Sequence, residues 1–175
     1  SVHIYTSILA GFILAFPYVF WQFWSFVKPA LHKNEASIAR GVVFYSSFLF
    51  LTGILFGYFI IAPISINFLG SYQISSVVAN QINITSFIST VTTVTFANGV
   101  IFELPILVYF LTKFGLITPA LMRNYRRHAI ISILVLSAII TPPDVASQVI
   151  VSIPLLILYE ISIRISSRII KKNKI

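Results

Sequence analysis

Five long apolar runs, separated by short polar gaps, dominate this sequence of 175 residues. The runs cover about residues 4–27, 41–69, 84–111, 128–140 and 145–165. About 20 apolar residues cross a bilayer as a helix, although the run 128–140 covers only about 20 Å of a core about 30 Å thick. Only 9% of the residues are charged, whereas soluble domains carry about 25%. We therefore predict an all-α polytopic membrane protein with a single transmembrane domain over residues 1–175.

Positive charges lie in alternate gaps of this pattern. Every Lys and Arg falls in the loop 28–40, in the loop 112–127 or in the C-terminal segment after residue 163. The positive-inside rule makes both loops and the tail 166–175 cytoplasmic, which leaves Ser1 outside. With no cleavable signal in view, we expect one earlier span, and so six spans with both termini cytoplasmic, five of them present. Topology thus explains the net charge of +8, and nucleic acid is not an expected partner.

Glu103 lies inside the apolar run 84–111. A carboxylate at such a depth costs about 2.5–3.5 kcal/mol on insertion scales and faces either a protein interior or a wet cavity. Pro105 follows two residues later and predicts a kink, because it removes a backbone donor. Two interpretations stay open at this point. Glu103 is either a functional polar site that carries a proton or balances a cation, or a structural carboxyl bonded to a neighbouring helix.

Glycines and prolines predict how the helices pack and where they bend. Gly53 and Gly57 have the spacing that lets two membrane helices approach closely. Pro17 predicts a kink in the first run, and Pro63 predicts a bend or an end in the second. Thr118, followed by a proline, predicts a helix start.

The sequence lacks the motifs of several common classes of catalytic and metal-binding site. It has no cysteine, no metal-ligand spacing among its His residues, no phosphate-binding loop and no nucleophile elbow. Its four acids lie one per separated segment, so they form no paired-carboxylate site. We predict a protein that is not an enzyme and that uses no cofactor or metal. Transport or binding at a membrane remains, with Glu35 in the loop 28–40 as either a binding group for a basic partner or a solvated side chain.

Several stretches match one known family, in the family's own order. They are Phe16-Pro17, Gln22-Phe23-Trp24-Ser25-Phe26-Val27-Lys28-Pro29-Ala30-Leu31 leading to Glu35, Phe50-Leu51-Thr52-Gly53, Phe56-Gly57-Tyr58-Phe59, Phe96-Ala97-Asn98-Gly99, Phe102-Glu103-Leu104-Pro105, and Thr141-Pro142-Pro143-Asp144-Val145-Ala146-Ser147-Gln148. Together they resemble the TatC family, the polytopic receptor subunits of the Sec-independent twin-arginine protein translocase. The resemblance covers essentially the whole chain.

The resemblance implies six transmembrane helices curved like a cupped hand. It also implies a receptor for signal peptides that carry paired arginines. Glu35 would pair with a signal arginine, since a guanidinium binds a carboxylate bidentately, and Phe26 and Lys33 would belong to the same binding surface. One departure from the family is that Ala36 and Ser37 follow Glu35, where members often have basic residues.

By the same resemblance, Glu103 is the buried acid on the concave side. Gln148 is a polar site associated with the single-span partners TatA and TatB, and Pro142, Pro143 and Asp144 shape the outer turn. The implied activity is export of folded precursor proteins across the cell inner (cytoplasmic) membrane with the proton-motive force. The implied partners are twin-arginine precursors, TatA/TatB-type subunits, other copies of the chain and the lipid bilayer. A proton-coupled carrier of small solutes, with Glu103 as proton site, is the alternative.

Overall fold

The computed structural model describes residues 2–27, 38–71, 83–141 and 145–173, and these segments are helical apart from short turns. The elements follow one another as α1 (Val2–Val27), α2 (Ile38–Phe56), a π-helical segment (Gly57–Ile61), α3 (Ala62–Ser71), α4 (Ile84–Ile101), α5 (Leu104–Lys113), α6 (Pro119–Asn124), α7 (Arg126–Ile140) and α8 (Val145–Asn173). The described residues contain no strand, which confirms the all-α prediction.

Four stretches are long and apolar enough to cross a membrane. They are Val2–Phe26, Gly41–Phe68, Ile84–Lys113 and Val145–Lys171. The second joins α2, the π-helical segment and α3, and the third joins α4 and α5. Helix α7 has 15 residues, so the fourth apolar run is short, as the sequence indicates. The count of five spans therefore stays a prediction.

Pro63 does not end the second span. It lies in the first turn of α3, directly after the π-helical segment. A proline ring clashes with the carbonyl four residues earlier, which here belongs to Phe59 inside that segment. The wider turn relieves this clash and still uses the carbonyl groups, since the N–H of Ala62 bonds to the oxygen of Gly57. The second span therefore stays helical through Pro63.

Helix α1 is continuous through Pro17, and the kink expected there stays a prediction. It contacts the rest of the protein mainly through aromatic rings. Phe16 stacks on Phe50 of α2 with 3.6 Å between ring centroids. At the aromatic end of α1, Trp24 is only 3% exposed and packs against Phe110 of α5.

The main core lies where the second and third spans meet α7 and α8. Its buried members are Ile61, Val94, Phe102, Ile133, Val151, Leu155 and Leu158. Helix α8 passes the predicted boundary at residue 165 and stays helical to Asn173. Its 29 residues measure about 43 Å, longer than a hydrocarbon core of about 30 Å.

Some predictions fall on parts of the chain that are not described. Lys33 and Glu35 precede α2, and Pro142, Pro143 and Asp144 lie between α7 and α8. Their predicted roles lie outside the described residues. The predicted helix start at Thr118 is confirmed, since its side chain accepts a hydrogen bond from the backbone N–H of Leu121.

Candidate functional site

Glu103 lies at a break in the third span. Helix α4 ends at Ile101 and α5 begins at Leu104, with Glu103 as the residue that caps α5. The cause is Pro105, whose ring would clash with the carbonyl of Ile101 in a continuous helix. In the first turn of α5 the missing N–H of proline loses no hydrogen bond, because the first N–H groups of a helix have no acceptor within the helix. In place of the kink expected at Pro105, the structure has a break between α4 and α5, two residues before the proline. Glu103 lies in this break and belongs to neither helix.

The carboxyl group of Glu103 faces the second span. Its Oε2 accepts a hydrogen bond of 2.7 Å from Oγ of Ser46, a fully buried residue of α2. Its Oε1 is buried and accepts no hydrogen bond from the described residues. The half-buried side chain therefore lies against protein and not in hydrocarbon, which is the arrangement that an acid at this depth requires.

The second and third spans approach closely beside this carboxyl group. A Cβ added to Gly53 would lie 2.7 Å from the backbone oxygen of Asn98, and one added to Gly57 would lie 2.8 Å from Cα of Thr95. Only glycine allows such an approach, so the close packing predicted from the Gly-x-x-x-Gly spacing is confirmed. We call this contact the seam; its residues are Ser46, Gly53, Gly57, Thr95, Asn98 and Glu103.

The seam holds more polar groups than the sequence led us to expect. Asn98 is fully buried, and its Nδ2 donates to the carbonyl oxygen of Val94 at 2.8 Å. Thr95 is also buried. Ser46 and Asn98 were not identified as candidates, because Ser46 lies 57 residues from Glu103 and no sequence signal joins them. The small hydroxyl residues in 84–95 are the sequence signal that could have indicated a moderately polar wall.

Gln148 lies on a different surface from Glu103. It is half-buried in the first turns of α8, and its Nε2 donates to the carbonyl oxygen of Leu134 in α7 at 3.1 Å. That oxygen also accepts a hydrogen bond from Oγ of Ser137. Gln148 therefore connects α7 to α8, and its role as a partner site stays a prediction.

Phe26 lies at the far end of α1 and is 83% exposed. Two residues before it, Trp24 packs on Phe110 near the end of α5, whereas Glu103 stands at the start of α5. The ten residues of α5 measure about 15 Å along the axis. Phe26 and Glu103 are thus placed at different depths of the membrane. Among the described residues, no group of three or more His, Asp or Glu could hold a metal ion.

One ion pair joins α7 and α8 on the predicted cytoplasmic side. Nη2 of Arg126 lies 2.8 Å from Oε2 of Glu160, and both side chains are about half exposed. Nearby, the hydroxyl of Tyr159 donates to the carbonyl oxygen of Met122 at 2.7 Å. These contacts fix the connection 112–127 against α8.

These observations define a multi-pass helical membrane protein in which a carboxyl group is held between two spans. The family profile described as Sec-independent protein translocase protein (TatC) matches residues 1–154. The chain belongs to this family.

Individual relatives agree with the family profile. The TatC protein of Blattabacterium sp. subsp. Periplaneta americana (strain BPLAN) is 42% identical over 173 residues, which cover 99% of this chain and 65% of the relative. The TatC protein of Helicobacter pylori (strain J99 / ATCC 700824) is 42% identical over 163 residues, 93% of this chain and 65% of the relative. The chain thus spans slightly less than two thirds of the length of these curated relatives.

The fold agrees as well. A crystal structure of the twin arginine translocase receptor TatC in DDM superposes with a TM-score of 0.76 at 40% sequence identity. The similarity covers 94% of this chain and 73% of that one. A second crystal structure of a twin arginine translocase receptor TatC has a TM-score of 0.75 and 39% identity. The predicted membership of the TatC family is therefore confirmed.

Proposed function

We propose that this chain is part of a twin-arginine signal-peptide receptor, the core component of a Tat complex that exports folded proteins with the proton-motive force. The observation that carries the proposal is the similarity over 94% of the chain to a protein described as the twin arginine translocase receptor. The role is one of binding and assembly and not of enzymatic catalysis.

The arginine pair of the signal binds at the cytoplasmic end of α1 and α2. Glu35 in the loop 28–40 supplies the carboxylate, and Lys33 lies in the same loop. A guanidinium binds a carboxylate through two parallel hydrogen bonds, which a lysine ammonium does not reproduce. Phe26 supports this role, because its ring is exposed at the end of α1, directly before that loop.

Glu103 forms a polar docking wall for a helix that enters the membrane. Its support is geometric: the side chain as a whole is only half-buried, although its Oε1 is buried, and its Oε2 is held by Ser46. The helix that docks there belongs to the signal peptide or to a single-span TatA/TatB-type subunit. Gln148, at the start of α8, contributes to a second surface for those subunits.

The receptor resides in the cell inner (cytoplasmic) membrane, with the loops 28–40 and 112–127 and the tail 166–175 in the cytoplasm. The distribution of Lys and Arg supports this orientation. In the intact protein both termini are cytoplasmic, and copies of the receptor assemble with each other in the complex.

A crosslinking experiment on the full-length protein tests the receptor function. The signal peptide carries either Arg-Arg or Lys-Lys, and the receptor carries either Glu35 or Glu35→Ala. We expect strong crosslinking only for Arg-Arg with Glu35 intact, because only this combination forms the bidentate pair. Lys113→Ala is a matched control, since it changes a charged residue in the other predicted cytoplasmic loop.

Equal crosslinking in all four combinations would contradict the receptor function. Proton-coupled uptake of a small solute into liposomes, with loss of uptake in Glu103→Gln, would favour the carrier instead.

A further inference from the structure

The last part of α8 carries a row of exposed cations. Arg164, Arg168 and Lys171 are exposed and lie four and three residues apart, so they share one side of the helix. Further back on the same side lie Ile153, Ile157 and Ile161, which are also exposed. At about 100° per residue, all six lie within about 80° of one another. We call this row the outer stripe.

The outer stripe changes from apolar to cationic at a defined depth. Arg164 lies about 28 Å along the axis from Val145, close to the hydrocarbon thickness of about 30 Å. Ile153 and Ile157 therefore face acyl chains, and the cations face the headgroup layer on the predicted cytoplasmic side. We propose that the cationic end of the outer stripe binds the phosphate groups of anionic phospholipids.

Contacts on the opposite side of α8 hold the outer stripe in this orientation. Leu155, Ser162 and Ser166 lie opposite the stripe and are fully buried. Ser166 accepts a buried hydrogen bond of 2.9 Å from Thr112 of α5. With these groups buried against the protein, α8 cannot rotate to turn its cations inward. The helix orientation that directs the guanidinium groups outward is thus already fixed in the lipid-free protein, which lowers the entropic cost of binding.

No acid among the described residues neutralises these cations. Glu160 precedes Arg164 by four residues, a spacing that favours a helical ion pair, but its carboxylate bonds to Arg126 of α7. The other described carboxylate, Glu103, is bonded to Ser46. Within the described residues, no acid pairs with Arg164, Arg168 or Lys171. Their charges remain available to an external anion.

A lipid phosphate fits this surface better than an acidic protein. Arg164 and Arg168 fall inside the apolar stretch Val145–Lys171, beside isoleucines that face the bilayer. A soluble acidic segment would have to enter the headgroup layer to reach them, whereas a lipid phosphate is already at that depth. Arginine binds phosphate bidentately, and each basic side chain near an anionic surface contributes about 1 kcal/mol.

Native mass spectrometry of the full-length protein tests this proposal. The protein is released from nanodiscs that contain equal amounts of phosphatidylglycerol and phosphatidylcholine, and the retained lipids are counted. We expect preferential retention of phosphatidylglycerol by the unchanged protein. The double variant Arg164→Gln and Arg168→Gln should lower that preference about thirtyfold. Replacement of both residues by Lys should lower it only a few-fold, because the charges remain.

The control variant is Arg123→Gln with Arg127→Gln, which removes two exposed charges from α6 and α7 on the same predicted side. This control variant should keep most of the preference for phosphatidylglycerol. Unchanged retention in the stripe variant would overturn the proposal, and so would an equal loss in the control, since net charge would then decide. A stripe variant that loses a bound acidic protein but keeps its lipid preference would also overturn it.

This proposal goes beyond signal-peptide recognition, and the two can fail separately. Crosslinking to the Arg-Arg signal peptide is measured on the same samples. The lipid proposal predicts unchanged crosslinking in the stripe variant when detergent replaces the bilayer. A fall in detergent crosslinking equal to that of Glu35→Ala would instead make the stripe part of the signal site and overturn the lipid proposal.

Discussion

Two regions of this protein carry ionisable side chains inside apolar spans, one directed toward protein and the other away from it. At the seam, Glu103 is turned toward protein and bonds to Ser46 of the neighbouring span. On the outer stripe, Arg164 and Arg168 are turned away from protein and pair with no acid in the part of the chain that the structure describes. In the most apolar part of Ile84–Lys113, the span of Glu103, 50% of the residues are buried, compared with 39% in that of Val145–Lys171, which carries the outer stripe.

The difference follows from depth and side-chain length. Glu103 lies about 15 Å from the end of its span, and a short carboxylate cannot reach the headgroup layer from there. It therefore needs a donor from the protein. Arginine near a helix end extends its long side chain to the interface, so it needs no partner helix. We expect substitutions at the seam to change stability and substitutions on the stripe to change lipid binding.

The largest expected effect is at the glycines of the seam. Gly53→Ala places a methyl group 2.7 Å from the backbone oxygen of Asn98, so the two spans must separate. We expect a loss of about 1–3 kcal/mol or more, measured as a lower Tm in detergent. Gly11→Ala is the matched control, because nothing lies within 4 Å of its added Cβ. In a helix it should stabilise by about 0.5–1 kcal/mol. Equal melting of both variants would contradict the close packing of the seam.

The next effect concerns the bond between Ser46 and Glu103. Ser46→Ala leaves a buried acceptor without its donor and should cost about 1–3 kcal/mol. In a double-mutant cycle with Glu103→Ala, the double variant should lose less stability than the sum of the single variants. Ser86→Ala, an exposed serine of α4, is the control. Strict additivity would show that the bond does not connect the two spans in solution.

The same variants also test whether Glu103 has a role in export or only a structural role. Glu103→Ala should insert into the membrane but lower export and alter the size of the complex on a native gel. Because Ser46 is fully buried, a loss of export in Ser46→Ala would act through the position of Glu103. Export and complex size that match the unchanged protein would leave Glu103 with a structural role only.

Gln148→Leu should have a smaller effect on stability, about 1 kcal/mol at most. The carbonyl of Leu134 loses the amide of Gln148 but still accepts the hydroxyl of Ser137. We expect altered crosslinking to TatA/TatB-type subunits and unchanged crosslinking to the signal peptide. Gln22→Leu on α1 is the control, since its amide donates to the exposed Tyr18 of the same helix. Unaltered partner crosslinking would remove Gln148 from the partner surface.

The smallest effect on stability should come from the outer stripe. Arg164→Gln with Arg168→Gln removes two exposed side chains that pair with no acid among the described residues, and such surface changes stay within about 0.5 kcal/mol. The Tm in a neutral detergent should therefore stay close to that of the unchanged protein. A loss as large as that of Ser46→Ala would remove the contrast between the two regions.

The helical class, the apolar stretches and the break beside Pro105 could be predicted from the sequence alone. These features are local: helix formation, proline sterics and hydrophobic length act over a few turns of one chain segment. Family membership followed in the same way from short stretches in a fixed order. Helix α8 continues to Asn173, past the end of the predicted span at residue 165, and its basic last turns resemble a polar tail until their helical periodicity is considered.

Which side chains meet could be learned only from the packing of the folded chain. Ser46 and Glu103 are 57 residues apart, and their bond depends on how far each span is rotated and shifted along its axis. The partners of Gly53 and the outward direction of Arg164 depend on the same two quantities. Rotation and depth are set by the packing of whole helices, through contacts such as that between Thr112 and Ser166. No local pattern encodes that packing, and for this reason Glu103 could be found in the sequence but its partner could not.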